Sequence, residues 1–398
     1  MPLEVVSILR ELVRRPSINP MSRDAPQGTL FEQPVTDYLN EVFQTLNVTP
    51  YRQQVADHRV NLVARLDGSP APSEGGKILV LEAHQDTVPV TGMTIDPFAA
   101  EVRAGRLWGR GACDVKSGIA CILTVLSRLA AERPDPRPTV LVACTVDEEF
   151  GVTGARAFPD MWMDPEQLDL PRVPDAIIVS EPTELDVVVA HKGSLRWKCH
   201  THGRAAHSSR PSEGENAIYR MSRVINATER YAATMIHQLA SHPLVGVPTL
   251  SLGRIQGGMS VNVVPDQCTI EIDRRIVPGE DWQVAWEHFK RFLNETVPDV
   301  AVTHEEPYTT TPGMSDRING DLAKRLSKVI QQHGHPGHCV GVTYGTNAWA
   351  YTSREAPTVV FGPGSIQQAH TVDEWIEIDQ LEQATDILYA FARSFVHD

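Results

Sequence analysis

The stretch Leu81-Glu-Ala-His84-Gln-Asp86-Thr87 is the part of the sequence from which the fold and the site can be worked out. It overlaps the apolar run Lys77-Ile-Leu-Val-Leu-Glu, which predicts a buried strand. Residues two apart on a strand share a face, so His84 and Asp86 lie together at the strand end, where α/β proteins place their sites. This spacing suits a metal-binding imidazole that is held by a carboxylate. Taken alone, the pair is better explained as a surface histidine beside a surface aspartate, so the other segments must decide.

The composition is that of a soluble globular protein, and the length of the chain predicts two domains. The chain has 398 residues, too many for one ordinary core, and is 41% apolar and 22% charged. The net charge of −14 argues against a general nucleic-acid binder, because phosphate binding needs a basic surface. No apolar run is long enough to span a bilayer, so we expect no membrane partner.

The N-terminal residues and the cysteines together predict a cytoplasmic protein. Residues 3–14 spread their charges along an amphipathic pattern, which indicates a first helix and not a secretory signal. The six cysteines form no C-x-x-C pair and several lie in apolar runs. This pattern is expected of reduced core thiols in a reducing compartment.

Two further apolar runs predict buried strands that end in acidic residues. Residues 139–146 end in Asp147-Glu148-Glu149, and residues 176–179 end in Ser180-Glu181. Helical segments separate these strands from one another. Strands that are apolar on both faces and alternate with helices are typical of a largely parallel α/β sheet.

The pattern changes near Gly193, where alternating and helical segments follow in the order β-α-β-β-α-β. This order is typical of a compact ferredoxin-like α+β unit. After Pro307 the α/β pattern resumes and continues to the end of the chain. We therefore predict a discontinuous α/β domain with a mostly parallel central sheet, residues 1–192 and 308–398, around an inserted domain, residues 193–307.

Five residues at the ends of these elements have the chemistry of metal ligands. They are His84, Asp114, Glu149, Glu181 and His370. Imidazole and carboxylate ligands suit Zn²⁺ in catalytic sites. Two metal ions about 3.5–4 Å apart need a bridging carboxylate, which Asp114 can supply, while Glu148 beside Glu149 can activate water. Each residue alone is also explained as a surface carboxylate or a helix cap, but the set together favours a metal site.

Seven segments, in order along the chain, resemble the motifs of a family of dizinc amidohydrolases and exopeptidases. The family includes acetylornithine deacetylase, succinyl-diaminopimelate desuccinylase, aminoacylase and carboxypeptidase G. The segments are His84-Gln-Asp86, Gly109-Arg-Gly-Ala-Cys-Asp114-Val-Lys-Ser-Gly118, Asp147-Glu148-Glu149-Phe-Gly151, Ser180-Glu181-Pro182-Thr183, Gly203-Arg-Ala-Ala-His207-Ser208, Asn262-Val-Val-Pro265 and Gly362-Pro-Gly-Ser-Ile-Gln-Gln-Ala-His370. The resemblance therefore covers nearly the whole chain.

The resemblance implies a role for each residue of the predicted centre. One zinc ion would be held by His84 and Glu181, the other by Glu149 and His370, with Asp114 as the bridge. Asp86 would orient His84, and Glu148 would be the general base and later the general acid. The peptide bond after Asp114 is often cis in this family.

The resemblance also makes the inserted domain a lid and dimerisation domain. Its His207 would reach the site of a neighbouring subunit and stabilise the oxyanion, so we expect a homodimer. Substrate contacts would come from Asn262, Arg275, Asn347 and the amides of Gly362, Gly364 and Ser365, which would hold a substrate carboxylate. The loop Gly345-Thr-Asn347 resembles a family loop that often has an acidic third residue, and Asn347 lacks that charge.

We therefore predict a metal-dependent hydrolase that cleaves the amide bond of an N-acyl-amino acid, releasing the free amino acid and a carboxylate. The loop before His370 and the segment Ala190-His-Lys-Gly193 are most similar to acetylornithine deacetylase. The missing charge at Asn347 argues against ornithine as the amino acid. A dipeptidase, a carboxypeptidase and a succinyl-diaminopimelate desuccinylase use the same chemistry and stay open as alternatives. A non-catalytic relative is a further alternative, although it should lack a ligand or the base. Two Zn²⁺ ions are expected, with Co²⁺ or Mn²⁺ as substitutes.

Overall fold

The computed structural model describes residues 3–21 and 31–397, and its internal contacts divide the chain into two compact units. The first unit comprises Met1–Val189, Asp316–Val340 and Thr346–Asp398, and the second comprises Ala190–Ser315 and Gly341–Gly345. The sequence predicts domain boundaries at residues 192/193 and 307/308. That these segments fold as separate domains stays a prediction.

Helices and strands are both distributed over the two units. The helices of the two units are α1 (Val5–Val13), α2 (Gln33–Thr45), α3 (Lys116–Glu132), α4 (Thr153–Ala157), α5 (Ala217–Arg230), α6 (Trp282–Thr296), α7 (Gly320–Gln332), α8 (Ala348–Thr352) and α9 (Ile378–Ser394). The strands are β1 (Thr49–Ala56), β2 (Arg59–Leu66), β3 (Ile78–His84), β4 (Glu101–Arg103), β5 (Arg106–Trp108), β6 (Thr139–Thr145), β7 (Ala176–Val179), β8 (Val187–His191), β9 (Gly193–His202), β10 (Thr249–Gly257), β11 (Gln267–Ile276), β12 (Val302–His304), β13 (Thr309–Thr311), β14 (Cys339–Val342), β15 (Thr358–Val360) and β16 (Trp375–Glu377).

The main sheet is mixed, with the order β1-β2-β6-β3-β7-β15-β8-β14. Its four central strands, β6, β3, β7 and β15, are parallel and consist of buried residues. This centre agrees with the apolar runs in the sequence, because strands covered on both faces need no polar alternation. The margins are antiparallel: β1 and β2 form a hairpin, β2 pairs with β6, and β8 pairs with β15. The antiparallel outer strands were not expected from the sequence, which indicates a strand at β2 but not the direction in which it pairs.

The parallel centre brings three strand ends to one edge of the sheet. His84 is the last residue of β3 and is in register with Thr145, the last residue of β6. Glu82 pairs with Val179 at the end of β7. The acidic segments after β6 and β7 therefore begin beside His84, as the sequence predicts.

Helix α3 covers this part of the sheet and is buried along nearly its whole length. It contacts β3 and β6 on one side and α1 and α9 on another. Its third residue, Gly118, approaches the end of β7 so closely that a Cβ atom there would lie 2.1 Å from Ser180 Oγ. The small residue thus allows the start of the helix, which follows Asp114, to lie against the strand end that precedes Glu181.

The second unit contains the elements β9, α5, β10, β11, α6 and β12 in chain order. Its sheet has the order β10-β11-β9-β12 with antiparallel neighbours, and β13 pairs with β9. Alternate residues of β11 are buried and form a core with α5 and α6, which includes Trp197 and Phe289. The predicted fold class, an α/β unit with a ferredoxin-like α+β unit, is confirmed. Among the residues that the structure describes, no helix is long and apolar enough to cross a membrane.

Candidate metal centre

His84 is fixed with one ring nitrogen turned toward two carboxylates. Its Nδ1 lies 2.9 Å from the backbone oxygen of Asp86 and 3.5 Å from the Oδ1 atom of the same residue. Its Nε2 lies 3.2 Å from Asp114 Oδ1 and 3.9 Å from Glu181 Oε1. Because Nδ1–H donates to the backbone carbonyl, Nε2 is the nitrogen with a lone pair for a metal ion.

His370 and Glu149 meet the other side of Asp114. His370 Nε2 lies 3.0 Å from Glu149 Oε2 and 3.2 Å from Asp114 Oδ2. The two oxygens of Asp114 therefore face two different imidazoles, His84 and His370. In each of the two groups, His84–Asp114–Glu181 and Asp114–Glu149–His370, one ligand atom per residue lies within 4.8 Å of the others. The structure thus brings together all five residues that the sequence nominated as ligands. The peptide bond after Asp114 is cis, as the resemblance implied.

The charges of this cluster fit divalent cations. Burial, followed by the repulsion of Asp114, raises the pKa of Glu149 to about 7, and the same two causes raise the pKa of Glu181 well above its usual value. Burial also raises the pKa of Asp114, but hydrogen bonds from His370 and His84 outweigh it, so that pKa is lowered. Glu149 Oε1 is buried without a hydrogen-bond partner. Crowded buried carboxylates with an unused oxygen are the donor set that a cationic centre requires.

The carboxylate of Asp86 mainly holds the glutamate pair. Its Oδ1 accepts the backbone N–H of Glu148 at 3.0 Å, and its Oδ2 accepts that of Glu149 at 3.1 Å. The side chain expected to orient His84 therefore fixes the turn that carries Glu148 as well, and contacts His84 most closely through its backbone. The catalytic roles of Asp86 and Glu148 stay predictions.

Glu374 is a buried acid near the centre that no sequence motif points to. Its carboxylate accepts the backbone N–H groups of Gly111, Cys113 and Asp114 at 2.8 to 3.1 Å, and Arg110 Nη1 at 2.7 Å. It stands four residues after His370, so one side chain ties the loop of His370 to the loop of Asp114. The only sequence signal was an acidic residue shortly after a ligand, which does not reveal its partners more than 250 residues earlier.

The loop nominated to hold a substrate carboxylate already uses two of its amides. The N–H of Gly362 donates to Thr183 Oγ1 at 3.1 Å, and the N–H of Gly364 donates to the side chain of Gln380. Ser365 is partly exposed. To hold a substrate carboxylate, Gly362 and Gly364 would have to exchange these two hydrogen bonds for bonds to the substrate.

Asn347 is fully buried beside Glu82, a second buried acid that no sequence motif points to. Its Nδ2 donates to Glu82 Oε1 at 3.0 Å and to Thr145 Oγ1 at 3.2 Å. Burial raises the pKa of Glu82. The acidic group that position 347 lacks is thus present next to it on β3, in a setting that favours its neutral form.

The remaining nominated residues lie in the second unit. His207 and Asn262 are exposed and adjacent, since His207 forms a β-bridge with Val263 and the Ser208 N–H donates to the Asn262 carbonyl at 3.0 Å. Arg275 is near the end of β11, with its Nε 3.0 Å from Asp273 Oδ1. The structure brings His207 and Asn262 together, and their roles toward substrate stay predictions.

Comparisons with known proteins agree with this geometry. The sequence pattern described as peptidase family M20/M25/M40 matches residues 80–394. An acetylornithine deacetylase from Myxococcus xanthus is 30% identical over 371 residues, which cover 92% of each chain. A probable succinyl-diaminopimelate desuccinylase from Staphylococcus aureus is 28% identical over 383 residues, 89% of this chain and 90% of its own.

Solved structures share the fold over the whole length. A tripeptidase from Staphylococcus aureus superposes with a TM-score of 0.78 at 21% identity, covering 98% of this chain and 97% of its own. An M20 family metallo-carboxypeptidase from Sulfolobus solfataricus has a TM-score of 0.78 at 16% identity, covering 99% of both chains. The predicted enzyme class, a metal-dependent hydrolase of amide bonds, is confirmed at the level of the family. The resemblance drawn from the seven motifs is confirmed as well: the chain belongs to peptidase family M20/M25/M40.

Proposed function

We propose that this enzyme removes the acyl group from an N-acetyl-amino acid with the help of two divalent metal ions. The observation that carries this proposal is the position of Asp114, whose two oxygens face His84 on one side and His370 on the other. A shared carboxylate between two ligand groups is the arrangement of dinuclear hydrolytic centres. The relative from Myxococcus xanthus, which is named acetylornithine deacetylase, supports an acetylated amino acid as substrate.

The five ligands suit zinc, since imidazole and carboxylate donors are those of catalytic zinc sites, and Co²⁺ or Mn²⁺ can use the same set. Two ions held by these residues would supply a polarised amide carbonyl and a water molecule whose pKa is lowered toward neutrality. The residues of the chain supply the proton transfers. Glu148, next to the ligand Glu149, accepts a proton from the attacking water and delivers it to the departing amine nitrogen.

We further propose that residues 193–307 act as a lid and as the dimerisation domain of the catalytic domain, residues 1–192 and 308–398. The edge strand β10 and the loop after it expose Ile255, Met259 and Val261, which suits pairing with a second copy. His207 would then donate to the oxyanion in the partner's site, while Asn262 and Arg275 contact the substrate. All six cysteines are free thiols, five of them buried, which supports a reducing, cytoplasmic location.

The substrate class is tested by a parallel assay of metal-loaded enzyme with N-acetylornithine, N-acetylcitrulline, N-succinyl-diaminopimelate and dipeptides. We expect an N-acetyl-amino acid to be preferred over dipeptides by about 10-fold or more in kcat/KM. Chelation should abolish the activity, and added Zn²⁺ should restore it. A preference for dipeptides would replace the deacetylase proposal with an exopeptidase, and cleavage of no amide would refute both.

Replacing Glu148 by glutamine should lower kcat by about 10²–10⁴-fold, because the amide cannot take up the proton of water. The variant should keep both metal ions, measured by elemental analysis, because Glu148 is not among the ligands. The matched control is Glu382→Gln, on the exposed side of α9. Full activity of metal-loaded Glu148→Gln enzyme would exclude this residue as the base.

The dimer proposal predicts that two inactive variants complement each other. His207→Ala and Glu148→Gln should each have low activity, and a mixture reassembled from both should recover about a quarter of the wild-type activity, because half of the random dimers are mixed and each has one intact site. Unmixed variants carried through the same reassembly are the control. If the mixture stays inactive although light scattering shows dimers, His207 does not act across the interface.

Glu374→Gln should weaken metal binding about 10–100-fold, measured by competition with a chelator. Glutamine presents an N–H group to backbone donors and leaves Arg110 without a buried counter-charge, so the loop of Asp114 should shift. Glu377→Gln is the control, since its carboxylate pairs with Arg106 at the partly exposed sheet β16-β5-β4. Equal metal affinity in both variants would show that Glu374 is not needed for the centre.

A further inference from the structure

We propose that Asn19 is a positioning residue that joins Asp86 to Asp147 and thereby fixes the turn carrying Glu148 and Glu149. The inference rests on the proposed function of that pair and assigns a role to a residue outside all seven motifs. Asn19 belongs to the segment after α1 and is fully buried.

Backbone bonds first place Asn19 beside the end of β3. The Asn19 N–H donates to the Thr87 carbonyl at 2.8 Å, and the Thr87 N–H donates to the Ser17 carbonyl at 2.9 Å. Ile18 and Thr87 form a parallel β-bridge. The segment therefore lies beside the chain just after His84, and the side chain of Asn19 reaches the neighbouring Asp86.

The amide of Asn19 then connects two buried carboxylates. Its Nδ2 donates to Asp86 Oδ2 and to Asp147 Oδ1, each at 2.9 Å. An amide nitrogen has two hydrogens, so both are used. Its Oδ1 accepts the backbone N–H of Met21 at 3.1 Å, which fixes the nitrogen toward the acids. Without this donor, two carboxylates that repel each other would share the space.

These two carboxylates hold both sides of the glutamate turn. Asp86 accepts the backbone N–H groups of Glu148 and Glu149. Asp147 accepts Thr153 Oγ1 at 2.7 Å and pairs with Arg59, whose other acidic neighbour is Glu32 at 3.5 Å. Arg59 supplies a balancing charge, whereas Asn19 alone bonds to both Asp86 and Asp147 among the contacts of the described residues. A shift of the turn would move Glu148 and the metal-facing oxygen of Glu149 together.

The test compares Asn19→Ala with Asn319→Ala. Asn319 is a matched control, because it is also fully buried and bonds through both ends of its amide, donating to Val189 O at 3.1 Å and accepting from Thr358 N at 3.0 Å. Both variants should lower the thermal midpoint by about 2–4 °C. Only Asn19→Ala should lower kcat, by about 10–100-fold at saturating metal with KM within about twofold, since a small misplacement of the base acts on the transition state.

A second readout does not depend on activity. Chelator competition should show about 10-fold weaker metal binding in Asn19→Ala than in Asn319→Ala, because Glu149 is displaced. If Asn19→Ala does not fold, Asn19→Ser and Asn319→Ser replace the pair. Equal metal affinities within the pair would overturn the role of Asn19. If the wild-type enzyme hydrolyses no amide, only the proposed function is refuted. The difference in metal affinity between Asn19→Ala and Asn319→Ala can still be measured.

Discussion

The structure depends on the burial of several carboxylates at one edge of a parallel sheet. Asp86, Asp114, Asp147 and Glu181 are all nearly or fully buried there. Each ion taken out of water costs several kcal/mol unless cations or hydrogen-bond donors compensate it. The fold meets this constraint in two ways. Around Asp114 the imidazoles of His84 and His370 face the carboxylate, in a geometry that suits metal ions. Around Asp86 and Asp147 the compensating groups are hydrogen-bond donors and the guanidinium of Arg59.

The two sides of the centre use the same device. Glu374 accepts consecutive backbone N–H groups of the loop that ends in Asp114, and Asp86 accepts those of the turn that presents Glu148 and Glu149. A carboxylate that accepts two or more backbone N–H groups restrains the orientation of a loop, because each bond has a preferred direction. The candidate ligands that follow strand ends are thus held in more defined positions than a loop alone would give them.

The residues at the strand ends could be predicted because their placement follows from local patterns. An apolar run predicts a strand, the parallel arrangement aligns the strand ends, and residue chemistry nominates the candidate ligands, as with His84 and Glu181. The residues that hold the ligands could not be predicted this way. Asn19 and Glu374 lie 67 residues before and 260 residues after the groups that they bind. Such contacts arise from tertiary packing, and neither the residue type nor the spacing in the sequence predicts them. The antiparallel direction of the outer strands could not be predicted for a related reason, because the direction in which a strand pairs depends on its partner and not on its own sequence.

Asn347 illustrates how a comparison of one sequence position can miss an acidic group that lies beside it in the structure. In the sequence its loop lacks an acidic residue, which argued against a cationic side chain on the substrate. In the structure Asn347 donates to Glu82, so a carboxylate occupies the same neighbourhood from an adjacent strand. Thr145 binds both side chains, which makes the three a single polar cluster with one acidic group. Burial disfavours the charged form of Glu82 and raises its pKa, while hydrogen bonds from Thr145 and Asn347 to its Oε1 atom hold the carboxyl group in place. Position 347 therefore gives only part of the local chemistry, because the acidic group of this cluster comes from β3, 265 residues earlier in the chain.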